Sequence, residues 1–522
     1  MLRTPVMIWR LLGIVRTLAR HDALAAVEHT GIAPTLTRLL RRLLPNRPGR
    51  PGQKLARAFV ELGPSFIKLG QFLATRADLV GEEMGADLSE LQDRLKPFPA
   101  AEARAAVARE LGVEVEAVFE SFEDTPVSAA SIAQVHLAVT RPQVAGTSAT
   151  VALEDVAETS PREVAVKVLR PGVEARVERD LQLMYWLARL AERAEPRMRR
   201  FRPLAVVAEF ERVVKTEMDL RLEAAAASEL AENFAGDETY RVPAVDWLRT
   251  GRRVLTMERI GGIRMDDREA LLAAGHDLQE ILERAAAIFF NQVFRDGFFH
   301  GDQHPGNMSV DEEGRIVAVD FGIMGRLDHP TRTLLADMLL ATLQRDYRKL
   351  AEVQAEAGFL PHGQPLELFA QSLRAVCEPI FGQRLERISF ARLLGQLLHL
   401  TESFQMPVQP QLVLLQKNML MAEGVSRALD PSLNIWMLAE PLIADWVRKN
   451  RGPHVRALRS AEEVQQMLAR LPHLARQADS VLDRLAEASR EGRKTAYEAR
   501  VAGPSVWLAA LALLVALIAL LD

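Results

Sequence analysis

Cysteine is nearly missing from this sequence: Cys377 stands alone among 522 residues. A lone thiol excludes an internal disulfide and a cysteine metal cluster and fits a reducing compartment. Cys377 itself reads as a small apolar residue of a helix. An excess of one charge is also missing, the formal net value being −4, which argues against a dedicated nucleic-acid binder. There is no repeat period, no low-complexity tract and no dinucleotide glycine fingerprint. At 48% hydrophobic and 26% charged residues, the composition is globular, and the length asks for two or three packed units.

The charge is placed unevenly. Residues 1–50 hold nine arginines against Asp22 and Glu28, a basic amphipathic N-terminal region suited to an acidic membrane surface. An Arg-rich, acid-poor start is also that of an organellar transit sequence. Val6–Leu18 is broken by Arg10 and Arg16 and lacks a small-residue cleavage site, so it does not read as a signal peptide. At the other end Pro504–Leu521 is uncharged, with Trp507 near its start, and is about long enough for one membrane span. A buried core helix is the competing reading. Arg490, Arg493, Lys494 and Arg500 precede it, so the positive-inside tendency keeps the bulk of the chain cytoplasmic. Residues 451–500 carry ten basic and seven acidic side chains and read as an amphipathic region between body and membrane.

Pro45–Gly52 is a basic Pro/Gly linker, after which apolar residues recur at helical spacing from Gln53 to about Leu95. Pro97-Phe98-Pro99 closes that unit, and Ala101–Leu111 is a further helix. Beyond Pro126 the pattern turns to strands at Ile132–Val139 and Glu163–Leu169, with Thr140–Pro161 as an extended hairpin connection. Helices dominate from Val173 to Phe234, followed by a strand at Val254–Met257 and a Gly261-Gly262 turn. Small strands with one long helix, then a helical body, make a two-lobed layout.

The most informative run is His300-Gly301-Asp302-Gln303-His304-Pro305-Gly306-Asn307, a short apolar strand, then Asp320-Phe321-Gly322. An Asp, an Asn five residues on and an Asp heading a DFG are the base and oxygen donors of a Mg·ATP site. Mg²⁺ prefers carboxylate and amide oxygens, which Asp320 and Asn307 offer, leaving Asp302 to orient a hydroxyl or a water. In Glu163-Val164-Ala165-Val166-Lys167-Val168, alternation puts Lys167 on the face opposite the valines, as in the strand whose lysine meets phosphates in kinases. Its carboxylate partner is sought in Glu217–Ala224. Asp219 and Glu223 are i, i+4, whereas Glu217 lies about 200° round from Asp219, so the three face one cleft only if the helix breaks.

No G-x-G-x-x-G precedes Lys167. Val127-Ser128-Ala129-Ala130-Ser131-Ile132-Ala133-Gln134-Val135 stands in its place, and alanine methyls hinder close backbone approach to phosphate. That favours a different nucleotide pose and disfavours a protein substrate. Upstream, Lys68, Gln71, Thr75 and Asp78 form a narrow polar stripe along the apolar helix of Gly63–Leu79. A stripe this narrow is expected to enter a polar cleft in which Lys68 needs a carboxylate.

Together these segments resemble the UbiB family of atypical kinase-like proteins, bacterial relatives of the mitochondrial coenzyme Q kinase-like ATPases, from about Gly63 to about Asp430. The resemblance implies an α+β, bilobal protein-kinase-like fold: a helical extension over 53–125, a kinase-like domain over 126–440, an amphipathic helical region over 441–500 and a transmembrane helix over 501–522. It implies ATP bound by Val127, Ser128, Ala129, Ala130, Ser131, Ile132, Ala133, Gln134, Val135 and Lys167, with Glu223 partnering the lysine. Asp302 would accept the proton, and Asn307 and Asp320 would hold Mg²⁺. The helix of Lys68 and Gln71 would lie over the place where a protein substrate docks, with Lys68 reaching Glu217 or Asp219 as a regulatory set.

The implied role is ubiquinone biosynthesis at a bacterial inner membrane through ATPase activity linked to lipid rather than to protein phosphorylation. Membrane lipid, prenylated quinone precursors and other ubiquinone-biosynthesis proteins are the implied partners. Two features depart from the family: Thr140–Pro161 is longer than the usual hairpin, and one span stands where many bacterial relatives have two. Two other functions compete. An iron-dependent hydroxylase of a polyprenylphenol would use His300, Asp302 and His304 as a two-His-one-carboxylate site, but leaves Lys167, Asn307 and the DFG unexplained. A nucleotide-binding scaffold of a quinone-biosynthesis complex has the retained Asp302, Asn307 and Asp320 against it.

Overall fold

The computed structural model describes residues 3–23, 48–142 apart from 75, 77–79, 90 and 92–94, 160–194, 202–381 apart from 361–362, 393–397, 404, 410–430, 442 and 446. The chain divides into two compact units, Met1–Ala444 and Asp445–Asp522, and the architecture below is that of the first. The expected span at Pro504–Leu521, the amphipathic region at 451–500, Thr75 and Asp78 of the polar stripe, and most of the Thr140–Pro161 connection lie outside the described residues. Among the described residues no helix is long and apolar enough to cross a membrane.

The N-terminal layer holds α1 (Arg3–Arg20), α2 (Pro51–Leu62), α3 (Pro64–Ala74) and α4 (Glu82–Ser89). Pro51 takes the first turn of α2, where a missing N–H costs nothing, so the basic linker stops at Arg50. Gly63, at φ +96°, turns the chain directly from α2 into α3. Leu55, Phe59 and Leu62 meet Phe66, Ile67, Leu88 and Leu91 in a shared apolar core.

Next come α5 (Ala100–Leu111), β1 (Phe119–Phe122), β2 (Ser128–Ala129), β3 (Ala133–Thr140) and β4 (Glu163–Leu169). Three helices, α6 (Val173–Ala194), α7 (Pro203–Glu217) and α8 (Leu220–Asn233), lead to β5 (Tyr240–Arg241) and β6 (Val254–Glu258). The upper sheet runs β1-β3-β4-β6, with β2 on β3, and every pairing is antiparallel. Phe119–Phe122, placed by the sequence reading in the helical extension, is therefore a strand of this sheet. Val164, Val166 and Val168 of β4 pack with Phe98, Ala103, Val107 and Phe119, so the period of two leaves Lys167 on the opposite face.

The lower part contains β7 (Ile263–Arg264), α9 (Leu278–Phe290), a π-turn at Asn291–Asp296, β8 (Phe298–His300), β9 (Met308–Val310), β10 (Ile316–Ala318) and β11 (Met324–Arg326). Two small sheets, β5-β10-β9-β7 and β11-β8, hold the loops carrying the His300 and DFG motifs. Helices α10 (His329–Leu343), α11 (Tyr347–Glu356), α12 (Leu366–Phe381) and α13 (Pro410–Leu429) complete the described chain. Cys377 packs inside α12 against Leu350, Phe369 and Leu373, and burial pushes its thiol up to about 12, which keeps it inert.

Candidate active site

Strand β4 aims Lys167 into the space between the upper sheet and the DFG segment. Its Nζ donates to Glu223 Oε1 at 2.7 Å and to Asp320 Oδ1 at 2.9 Å. Lys167 and Glu223 are 14% and 6% exposed, whereas Asp320 is 51% exposed, so two groups are locked and the third faces open space. Desolvation alone depresses the ammonium, but the Asp320 and Glu223 carboxylates together more than offset it and leave the lysine above its ordinary value. Burial pushes the Glu223 carboxyl up to about 7 against the opposing pull of Lys167. The Lys167 ammonium holds Asp320 well below the usual carboxylate range, with a smaller contribution from Lys68.

The helix carrying the acidic residues does break. Helix α7 ends at Glu217, Asp219 is extended at φ −113°, ψ 92°, and α8 starts at Leu220. Asp219 is the N-cap of α8, accepting from Arg221 N at 3.3 Å, and its carboxylate also pairs with the Arg221 guanidinium. Asp219 and Glu223 are thus not on one helix face, and Asp219 is paired with Arg221. Lys68 of α3 pairs with Glu217 across 2.9 Å, both side chains being nearly buried. The break lets Glu217 serve α3 while Glu223, one turn into α8, serves Lys167. Gln71, on the same helix as Lys68, is half-buried.

The loop from His300 to Asn307 is tied to the DFG segment by backbone bonds: Gly301 N donates to Ile323 O at 2.8 Å, and Val319 N to Asn307 O at 2.9 Å. Asn307 Nδ2 donates to the Asp302 carbonyl at 3.0 Å and approaches Asp302 Oδ2 at 3.4 Å. Phe321 is buried edge-on to the His300 ring, 5.6 Å between centroids. Asp320 sits at φ +64°, a left-handed conformation that a non-glycine residue holds only where its surroundings fix it.

The alanine-rich segment divides in two. Val127 and Ser128 are exposed, and Ala129, Ala130 and Val135 are half-buried. Ser131, Ile132, Ala133 and Gln134 turn into the interior. Gln134 Oε1 accepts from Phe98 N at 3.0 Å, and its Nε2 donates to Phe98 O at 3.2 Å and meets His136 Nε2 at 2.8 Å. The Gln134 side chain is therefore committed to pinning the chain ahead of α5, and the surface open to a ligand narrows to Val127–Ala130.

The donor set fits magnesium shared with phosphate. Asn307 uses its Nδ2 on Asp302, which turns its amide oxygen away from that bond, and Asp320 keeps Oδ2 clear of Lys167. Among the described residues no three His, Cys, Asp or Glu side chains converge to hold a metal alone, and Mg²⁺ commonly completes its shell with substrate oxygens and water. The iron triad is not assembled. His300 is buried, accepts from Asp302 N through Nδ1 at 3.1 Å and meets Val319 O through Nε2 at 3.2 Å. Both ring nitrogens are thus occupied by backbone, and His304 Nδ1 accepts from Gly306 N.

Three side chains at the site escape motif reading. Gln292 lies in the π-turn, a distortion that often marks functional sites, and its Oε1 accepts from His300 N at 2.9 Å. Lys417 of α13 donates to Asp302 Oδ1 at 2.8 Å. Asn418 donates to His300 O at 2.7 Å. The only signal of Lys417 and Asn418 in the sequence is a polar Gln416-Lys417-Asn418 within an apolar helix.

Comparison with known proteins places the chain in a family. The ABC1 atypical kinase-like domain matches residues 90–354, and the UbiB helical domain matches residues 373–434. A probable protein kinase UbiB of Marinobacter nauticus is 42% identical over 406 residues, 77% of this chain and 71% of that protein. Its counterpart in Azotobacter vinelandii is 39% identical over 496 residues, 93% of this chain and 88% of that one. The solved complex of Rv3197 with erythromycin from Mycobacterium tuberculosis covers 73% of this chain and 93% of its own, at 24% identity and a TM-score of 0.47. The chain belongs to the UbiB family, built from an ABC1 atypical kinase-like domain and a UbiB helical domain.

Proposed function

We propose that this chain binds ATP with Mg²⁺ and transfers or hydrolyses the γ-phosphoryl group, supporting ubiquinone biosynthesis at a bacterial inner membrane. The observation that carries the reading is the single ammonium of Lys167 held between Glu223 at 2.7 Å and the DFG aspartate at 2.9 Å. In phosphoryl transfer the protein mainly positions groups and places charge. Lys167 would exchange Asp320 for the α- and β-phosphates, with Glu223 keeping it aimed. Val127–Ala130 would lie over the phosphates, and Asn307 and Asp320 would hold the metal. Magnesium, when bound, neutralises charge on the phosphate oxygens.

Asp302 takes the proton of the acceptor O–H as that oxygen bonds to the γ-phosphorus. The bond from γ-phosphorus to the bridging oxygen breaks, and its electron pair leaves with ADP. Lys68, paired with Glu217 and close enough to lower Asp320, sets α3 and Gln71 beside this chemistry. If α3 covers the place where a protein substrate would dock, the acceptor is water or a small hydroxyl compound rather than a protein. Prenylated quinone precursors, membrane lipid and other ubiquinone-biosynthesis proteins are the proposed partners, with the soluble part on the cytoplasmic side and no role for nucleic acid.

The test is Mg·ATP turnover by the purified chain with and without anionic liposomes and a phenolic quinone precursor, together with the thermal shift on nucleotide binding. Stimulation by either addition is expected. Asp302→Asn is expected to abolish turnover while Mg·ATP still raises the melting temperature. Undiminished quinone production in cells carrying Asp302→Asn would hand the case to the scaffold reading.

A further inference from the structure

The loop that carries Asp302 is held from outside the kinase-like domain. Helix α13 lies in the segment matched by the helical domain, 373–434, and presents Leu414, Lys417 and Asn418, spaced i, i+3, i+4 and hence on one face. Lys417 Nζ reaches Asp302 Oδ1 at 2.8 Å, an ion pair with partners 33% and 29% exposed. Asn418 is fully buried, donating through Nδ2 to His300 O at 2.7 Å and accepting from Gln303 N at 3.3 Å. Leu414 closes in over Gly301: a Cβ there would stand 2.9 Å from Leu414 Cδ2 and 2.9 Å from Ile323 O. One helix face therefore grips four consecutive loop residues, His300 to Gln303.

We infer that Lys417 is a positioning residue for the phosphoryl-transfer step, so that the helical domain completes the active site. The inference rests on the phosphotransfer reading of Asp302. One carboxylate oxygen of Asp302 is fixed by the kinase-like domain itself, through Asn307 Nδ2, and the other by Lys417. Gripped at Oδ1, the carboxylate cannot rotate freely, and Oδ2, which meets Asn307 Nδ2 only at 3.4 Å and keeps a further lone pair, is the oxygen that receives the acceptor's proton as the new P–O bond forms and ADP departs. A pair joining residues 115 positions apart also makes the loop's geometry depend on how α13 is seated.

The experiment uses the full-length protein with Lys417→Met, Lys417→Arg, Asp302→Asn and the Lys417→Met/Asp302→Asn double variant. Lys417→Met is expected to lower kcat by about 10- to 100-fold, the loss typical of removing an outer-shell partner, without changing the Kd for Mg·ATP. Lys417→Arg is expected to recover most of that loss. Amide hydrogen exchange over Gly301–Asn307 in the nucleotide-free protein should rise in Lys417→Met and in Asp302→Asn, and no further in the double variant, because both remove one contact. Unchanged kcat in Lys417→Met, or additive exchange effects in the double variant, would overturn the inference. If the wild-type protein shows no ATP turnover, the phosphotransfer reading fails, while the exchange data still decide whether Lys417 holds Asp302.

Discussion

A neutral histidine controls the loop at the scale of the residue. His300 accepts from Asp302 N through Nδ1, which fixes the proton on Nε2, where it donates to Val319 O. Burial lowers its pKa by more than the Val319 carbonyl and the Asp320 and Asp302 carboxylates raise it. A second proton on Nδ1 would confront the Asp302 N–H, so two donors would face each other. The sign for stability follows: the unfolded chain binds the proton at the ordinary value of 6.5, the folded chain only at lower pH, so stability is complete above that value and lost as the pH falls through it. His300→Asn keeps an acceptor near Asp302 N but does not titrate. Melting temperatures from pH 7.5 down to 5 should therefore fall more steeply for the wild type than for His300→Asn. Parallel profiles would show that His300 takes up its proton as readily in the fold as in the unfolded chain. His136, another buried histidine held low by desolvation, is common to both proteins and cancels.

At the scale of the element, strand β4 could be read directly because its alternation of valine with other residues has one physical meaning, a strand with one face in a core. Its bounds match the structure, Glu163–Leu169. The break between α7 and α8 was not legible, since Glu217–Glu223 contains neither glycine nor proline and continues the helical pattern. Its signal was Asp219, a residue type that caps helices as readily as it sits within them, and the choice was made by tertiary partners on both sides, Lys68 and Lys167. Gly70 shows the converse, a sequence feature whose reason appears only in packing. A Cβ there would stand 2.5 Å from Leu91 Cδ1 and 2.8 Å from Phe59 Cδ2, so α3 approaches α2 and Leu91 only without a side chain. Gly70→Ala, although it raises intrinsic helix propensity, should cost about 1–3 kcal/mol through overpacking. Urea unfolding measures this, and a stabilised variant would mean that α3 shifts freely.

Across the whole molecule, the motifs were legible wherever they are contiguous, and the part that was not is the junction between distant segments. Lys417 and Asp302 meet only once the chain has folded, and no local pattern announces such a pair. The N-terminal helix raises the same question about its outer face. Arg10 grips buried Asp180 of α6 at 2.9 and 3.1 Å, and Lys54 of α2 holds buried Asp22 just beyond α1 at 2.6 Å, which fixes α1 with Ile14 inward. Trp9 at 78% and Leu12 at 57% exposure, with Gly13 and Arg16 beside them, then share the outward face. An aromatic, an aliphatic and a cation on one exposed face suit the headgroup region of an anionic bilayer.

Full burial of such side chains gives roughly 1.5–3 kcal/mol each, so half-burial of the two amounts to about 2 kcal/mol, or roughly a thirtyfold change in partitioning. Trp9→Ala/Leu12→Ala should bind phosphatidylglycerol vesicles weaker by that factor in co-sedimentation, with ATP turnover in solution unaffected. Raising the salt should weaken both proteins together, because screening acts on the arginines and not on the apolar pair. Equal vesicle affinity of the double variant and the wild type would take the Trp9–Leu12 face of α1 out of the membrane contact.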